Sequence, residues 1–195
     1  KMIIFKNLDT TRNWGVLHHK LSGSGLYNLL LNSTNAEANY PSEMFNSTSP
    51  TNSVFSVGTS NDTNESGDNI IAYCFAEKQG FSKFGSYVGN GSSSGPMIWL
   101  GFRPAYVMIK KSSASGDSWT IMDSKRFPYN YIDKFIYAEE TDAESGAAER
   151  CDFLSNGIKI RATHSFINTS GATYIYMCFS EAPFVNSNGV PCNAR

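Results

Sequence analysis

The chain writes one stretch twice, and that repetition constrains its fold more than any other feature. Asn64-Glu-Ser-Gly-Asp-Asn-Ile-Ile-Ala-Tyr-Cys-Phe-Ala-Glu77 aligns without a gap on Asn168-Thr-Ser-Gly-Ala-Thr-Tyr-Ile-Tyr-Met-Cys-Phe-Ser-Glu181, at an offset of 104 positions. In each copy a polar Asn-x-Ser-Gly turn leads into an apolar and aromatic run closed by a glutamate. A short apolar run bounded by turn residues is the signature of a buried strand. The same offset carries upstream, where Ile3-Ile-Phe-Lys6 lies opposite Val107-Met-Ile-Lys110. Trp14-Gly-Val-Leu17 then matches Trp119-Thr-Ile-Met122 after a slip of one, and Ala36-Glu37 matches Ala143-Glu144 after a further slip of two. Val54-Phe-Ser-Val57 pairs loosely with Gly157-Ile-Lys-Ile160. Segments that keep their order and drift only between strands are what a duplicated β unit shows.

The fold expected is therefore all-β, a β-sandwich or jelly-roll-like arrangement with little helix, built from an internal duplication with pseudo-twofold symmetry. Four parts are expected. A first β repeat unit occupies residues 1–77, a bridging hairpin 78–104, a second repeat unit 105–181 and an extended tail 182–195, together forming one compact sandwich. Arg103-Pro104 would map to positions before Lys1, and the chain opens on Lys1 rather than methionine. Residue 1 is accordingly expected to start a unit within a longer polypeptide, or to be a processed end.

Local signals fill in the elements. Leu26–Leu31 reads as a third strand or a short helical turn, Asn32–Pro50 as an ordered loop, and Asn52–Gly58 as a strand. Asn90-Gly91 marks a turn inside the bridge, and Ser155-Asn-Gly157 marks a tight hairpin. Glu139–Arg150 alone has helix-forming composition, and Gly146 keeps it short.

Composition narrows the function. Charged residues make up 17% of the chain and the net charge is −1, so no electrostatic field points to nucleic acid or an anionic membrane. No stretch reaches the roughly 20 apolar residues of a membrane span. Polarity comes instead from Ser, Thr, Asn and Gly, a neutral surface of hydroxyls and amides that suits extracellular or virion proteins and sugar binding. Cys74, Cys151, Cys178 and Cys192 form no CxxC and are expected to be free thiols, which fits assembly in a reducing cytoplasm. Sequons at Asn46, Asn61, Asn90 and Asn168 follow from composition and carry little weight.

No nucleophile elbow, HExxH or phosphate loop is present, and no cofactor or metal site is implied. His18-His19 is expected to face a loop at a strand end, and the Asp/Asn/Ser-rich 60–68 loop lacks the regular spacing of a calcium site. Glu77 and Glu181 are repeat-equivalent, so a glycosidase would draw its two carboxylates from them or from Asp123. Sugar recognition needs an aromatic face and neutral hydrogen-bonding partners nearby. Tyr87, Asn90, Arg126, Tyr129, Asn130 and Tyr131 are the candidates, the last four on one aromatic, basic loop. Trp99, in an apolar strand, is expected in the core.

Ile71-Ala-Tyr-Cys-Phe-Ala-Glu77, Phe81-Ser-Lys-Phe-Gly-Ser-Tyr-Val-Gly-Asn-Gly91, Gly101-Phe-Arg-Pro-Ala-Tyr-Val-Met-Ile-Lys110, Asp152-Phe-Leu-Ser-Asn-Gly157 and Gly171-Ala-Thr-Tyr-Ile-Tyr-Met-Cys-Phe-Ser-Glu181 carry a family resemblance. Over most of residues 50–195 the chain resembles a C-terminal domain of unknown function found in bacteriophage tail fibre proteins. The resemblance brings no catalytic residues. It implies a place on the phage tail of a virion assembled in the host cytoplasm, a homotrimer along a fibre axis, contact with other tail proteins, and no membrane insertion. The partner expected is a bacterial surface polysaccharide or outer-membrane protein, bound by a distal receptor-binding domain. The alternatives are a tailspike-like polysaccharide depolymerase and a purely structural fibre or trimerisation component.

Overall fold

A computed structural model describes residues 1–146 and 150–184. The first half holds β1 (Met2–Asn7), β2 (Gly15–His18), a four-residue turn α1 (Ser22–Gly25), β3 (Asn28–Leu30), α2 (Pro41–Phe45), α3 (Asn61–Asn64) and β4 (Ile70–Phe75). The bridge supplies β5 (Ser82–Val88) and β6 (Met97–Trp99). There follow β7 (Tyr106–Lys111), β8 (Thr120–Asp123), β9 (Ile136–Tyr137), β10 (Cys151–Leu154), β11 (Gly157–Ile160), α4 (Ser165–Asn168) and β12 (Thr173–Phe179). The chain is all-β, with three antiparallel sheets ordered β3-β2-β1-β4, β5-β12-β7-β8-β9 and β10-β11-β6.

Period-two alternation stacks these sheets. Met2, Ile4, Val16 and Leu29 of the first sheet meet Phe84, Met108, Trp119, Ile175 and Met177 of the second. The opposite face of the second sheet, with Val107, Ile109, Tyr174, Tyr176 and Cys178, packs on Ile98, Phe153, Ile158 and Ile160 of the third. Ile3, Phe5 and Leu17, on the outer face of the first sheet, are covered by Met44 and Phe45 of α2. The second sheet is thus buried on both sides, which is why β12 is apolar on both of its faces. Two polar contacts tie the first two sheets together. Trp119 Nε1 donates to the Leu30 carbonyl at 2.9 Å, and His18 Nε2 lies 3.3 Å from the Tyr176 carbonyl.

The first two sheets pair in matching registers. Ile3 stands opposite Cys74 on β1 and β4, and Val107 opposite Cys178 on β7 and β12. Ile3 faces Leu17 on β2, and Val107 faces Met122 on β8. The bonds at the strand ends correspond as well. Leu8 N donates to Asn69 O as Ser112 N does to Thr173 O, and His19 N donates to Lys1 O as Ser124 N does to Ala105 O. Before each repeated strand, Asn64 Nδ2 donates to Gly58 O at 2.7 Å, and Asn168 Nδ2 to Ala162 O at 2.8 Å.

The equivalence breaks where the bridge intervenes. Asn168 is fully buried, and its Nδ2 also reaches Ser92 O at 2.7 Å while its Oδ1 accepts from Asn90 N at 2.8 Å. Asn64 is exposed and has no such turn to hold. Asn168→Ala is accordingly expected to cost about 2–4 kcal/mol, through orphaned buried groups, against about 1 kcal/mol or less for Asn64→Ala. Urea midpoints of the two variants check the difference.

Several expectations are corrected. The bridge is not a hairpin: β5 joins β12 in the second sheet and β6 joins β11 in the third. Residues 54–57 form no strand, and 139–146 form no helix, Ser145 instead bridging to Phe135. Trp99 is 64% exposed, because the pleat of β6 turns its neighbour Ile98 inward. His18 is buried between sheets rather than facing a loop. The Ser155-Asn156 hairpin pairs Leu154 with Gly157 as expected. Of the tail, residues 185–195 lie outside the described residues.

Candidate functional site

A cavity of about 510 Å³ lies over the edge of the first sheet. It is lined by the β3 backbone at Leu29, by Leu30 and Met44, and by Asn13, Asn28, Asn35, Tyr40, Glu43, Ser60 and Asp62. Each wall is held from outside. Asn28 exchanges both backbone hydrogen bonds with Ala38, at 3.0 and 2.9 Å, which fixes the 32–40 loop against β3. The same loop is pinned to the second sheet: Ala36 N donates to Ser115 Oγ, Glu37 N to Ser112 O, and the buried Lys110 Nζ to Thr34 O. Burial lowers the Lys110 ammonium to about 8, and its second bond, to Asp117 O at 2.6 Å, anchors the same corner.

The other wall is α2 and the segment leading to α3. Pro41 opens α2 and Asn46, left-handed with φ of 50°, closes it. Ser60 N donates to Glu43 O and Thr63 Oγ1 to Met44 O. Gly58 permits this approach, since a Cβ there would lie 2.1 Å from the Ser42 carbonyl oxygen. At the rim, Asn32 Nδ2 donates to Asn13 Oδ1 at 3.1 Å, and Asp62 Oδ1 accepts from Asn13 N at 3.0 Å.

Within the cavity's lining, Asn28 is only 5% exposed and its Oδ1 accepts no hydrogen bond. It lies in register with Leu17 and so points toward α2, the side on which the cavity lies. A buried amide oxygen without a partner is costly to the fold. Tyr40, 56% exposed, adds an aromatic ring at the mouth. Apolar lining, convergent neutral amides and one aromatic are the parts of a small-molecule pocket. One signal was available: Asn28 is a polar residue inside the apolar run Leu26–Leu31.

The residues expected from sequence lie elsewhere. Tyr87 packs inward, its ring stacked on Tyr174 at 5.0 Å and its hydroxyl donating to Ile167 O. Asn90 organises the bridge turn, its Oδ1 accepting from Ser92 N and its Nδ2 donating to Ser94 O. Arg126 is bound to Asp123 and Glu144. Asn130 grips the backbone of Phe153 through both ends of its amide, leaving Tyr129, 74% exposed, and Tyr131 as the outward rings of that loop. The carboxylates weighed for hydrolysis are each beside a cation: Glu77 with Lys83, Glu181 with Lys125, Asp123 with Arg126. In the 60–68 loop, Glu65 binds Arg12 and Asp68 accepts from Asn7 and Thr10, so these acids lock the β1–β2 turn. Among the described residues no group of three His, Cys, Asp or Glu side chains is placed to hold a metal. Cys74, Cys151 and Cys178 are free thiols.

A family model described as a domain of unknown function (DUF7483) matches residues 1–183. No curated protein and no solved structure matches the chain.

Proposed function

We propose that this chain, which belongs to the DUF7483 family of domains of unknown function, is a binding module that takes a neutral surface glycan in the cavity over the first sheet. The observation that carries the proposal is the concavity itself, about 510 Å³ lined by Asn13, Asn28, Asn35, Ser60 and Tyr40. A sugar supplies hydroxyls for such amides and hydroxyls and a C–H face for the tyrosine ring. The resemblance to phage tail fibre domains supplies the biological setting: a distal receptor-binding domain attaching a virion to a bacterial surface polysaccharide. The neutral, hydroxyl-rich surface and the free thiols agree with that setting.

Glu43 and Asp62 both line the cavity, which is the specific observation behind a second possibility, hydrolysis of the bound glycan. A general acid for glycoside cleavage needs a raised pKa. The hydroxyl of Ser42 instead holds Glu43 below the usual carboxylate range. Binding without cleavage is therefore the favoured outcome.

Titration of the purified chain with host-type surface polysaccharide, followed by calorimetry and by sizing of the recovered polymer, tests the proposal. The expected result is saturable binding of unshortened polymer, weakened at least about tenfold in Tyr40→Ala, a loss of about 1.4 kcal/mol. Short oligosaccharides that disappear in Glu43→Gln would replace the binding module with a depolymerase. Unchanged affinity in Tyr40→Ala would move the site away from this cavity.

A further inference from the structure

The first two sheets differ in what flanks the strands β4 and β12. Along its second edge β12 carries β5, paired from Thr173 opposite Val88 to Phe179 opposite Ser82. The matching edge of β4 carries no strand among the described residues. The bond from Leu8 N to Asn69 O sets the alternation between β1 and β4. Ile71, Tyr73 and Phe75 therefore turn their backbone groups toward β1, while Ile70, Ala72 and Cys74 turn theirs outward. No charge, proline or glycine interrupts Ile70–Phe75. Among the described residues such an edge lacks the charges and prolines that ordinarily discourage pairing. Tyr73 and Cys74 are exposed on it.

We propose that β4 is a strand-addition site and that its occupant is β4 of a second copy of this chain. Run antiparallel about Ala72, the strand is its own complement. Ala72 meets Ala72, Ile70 meets Cys74, and outward N–H groups meet outward carbonyls with no like charges opposed. Glu77 lies beyond the paired run, with Lys83 3.4 Å away. The contact is isologous and two-fold, extending two first sheets into one continuous sheet. It differs from the three-fold assembly that the fibre resemblance implies.

Cross-linking tests the register. In a Cys192→Ser background, Ile70→Cys places a thiol opposite Cys74 of the second copy, at the roughly 5.5 Å Cα spacing of a hydrogen-bonded pair. Within one chain the two positions are about 13 Å apart along the strand, beyond disulfide reach. Mild oxidation is expected to yield a covalent dimer that adding Cys74→Ser abolishes. Sedimentation of the unmodified chain is expected to show a concentration-dependent dimer. Ala72→Pro, which removes an N–H that β1 does not use, should leave a folded monomer whose far-ultraviolet circular dichroism matches that of the unmodified chain. A monomer at every concentration, a trimer, or a cross-link that survives Cys74→Ser would overturn the proposal.

Discussion

Trp119→Ala is expected to leave little or no folded protein. Trp119 is 1% exposed at the centre of the core shared by the first two sheets, and its Nε1 donates to the Leu30 carbonyl. Truncating a buried tryptophan costs about 3–5 kcal/mol through lost contacts and the cavity left behind. The abandoned carbonyl adds about 1 kcal/mol or more. Against a typical total of about 5–15 kcal/mol, that loss is most or all of the fold's stability. Its repeat counterpart Trp14 is only partly buried, with Lys6 Nζ 5.9 Å from its ring centroid. Trp14→Ala should cost about 1–2 kcal/mol, the ordinary range for a half-covered site. Urea unfolding followed by far-ultraviolet circular dichroism separates the two. Equal losses in the two variants would contradict a core centred on the interface between the first and second sheets.

Acid is expected to weaken the protein well before its carboxylates are protonated. His18 sits between the sheets as a neutral ring, with Nε2 toward the Tyr176 carbonyl and Nδ1 accepting from Lys20 N. Burial, with smaller contributions from His19 and Lys20, lowers its pKa from 6.5 to about 3. The unfolded chain therefore binds a proton that the folded chain refuses between those values. Stability from this group is complete above about pH 6.5 and declines as pH falls toward 3, by about 1.4 kcal/mol per unit, or about 2 kcal/mol by pH 5. His19 and His164 are shifted in the same direction, chiefly by burial, and steepen the decline. Glu65, whose acidity is raised by its hydrogen bond to Arg12, adds to the loss only at lower pH. In His18→Gln, which keeps a donor toward Tyr176, the slope between pH 6.5 and 4 should fall by about one proton. An undiminished slope would remove His18 as the cause.

What could be read from the sequence was the periodic part. The offset of 104 anticipates the pairing registers, because alternating apolar residues fix which face of a strand is buried and a one-residue slip would expose them. The Asn-Gly hairpin before Gly157 was legible for the same local reason, a turn that requires those residue types. Cover was not legible. Ile70–Phe75 and Thr173–Phe179 share a pattern, yet among the described residues only the second gains a strand on its other edge, which the bridge supplies from some 90 positions away. Trp99 was misplaced because Met97–Leu100 is apolar at every position and gives no sign of which parity turns inward. The cavity escaped for a similar reason. It brings Asn13, Asn28, Tyr40 and Asp62 together from four separate segments, none of which carries a motif. The rings at Tyr129 and Tyr131 were found as outward residues, while Tyr87 was claimed by its hydrogen bond to Ile167.

Amide chemical-shift mapping with a saturating oligosaccharide from the host-type surface glycan tests the cavity as the ligand site most directly. Binding there predicts the largest shifts at Asn28, Ala36, Ala38, Tyr40 and Ser60, with residues 125–131 unmoved. Shifts confined to the Arg126–Tyr131 loop would contradict it and place recognition on the exposed tyrosines instead.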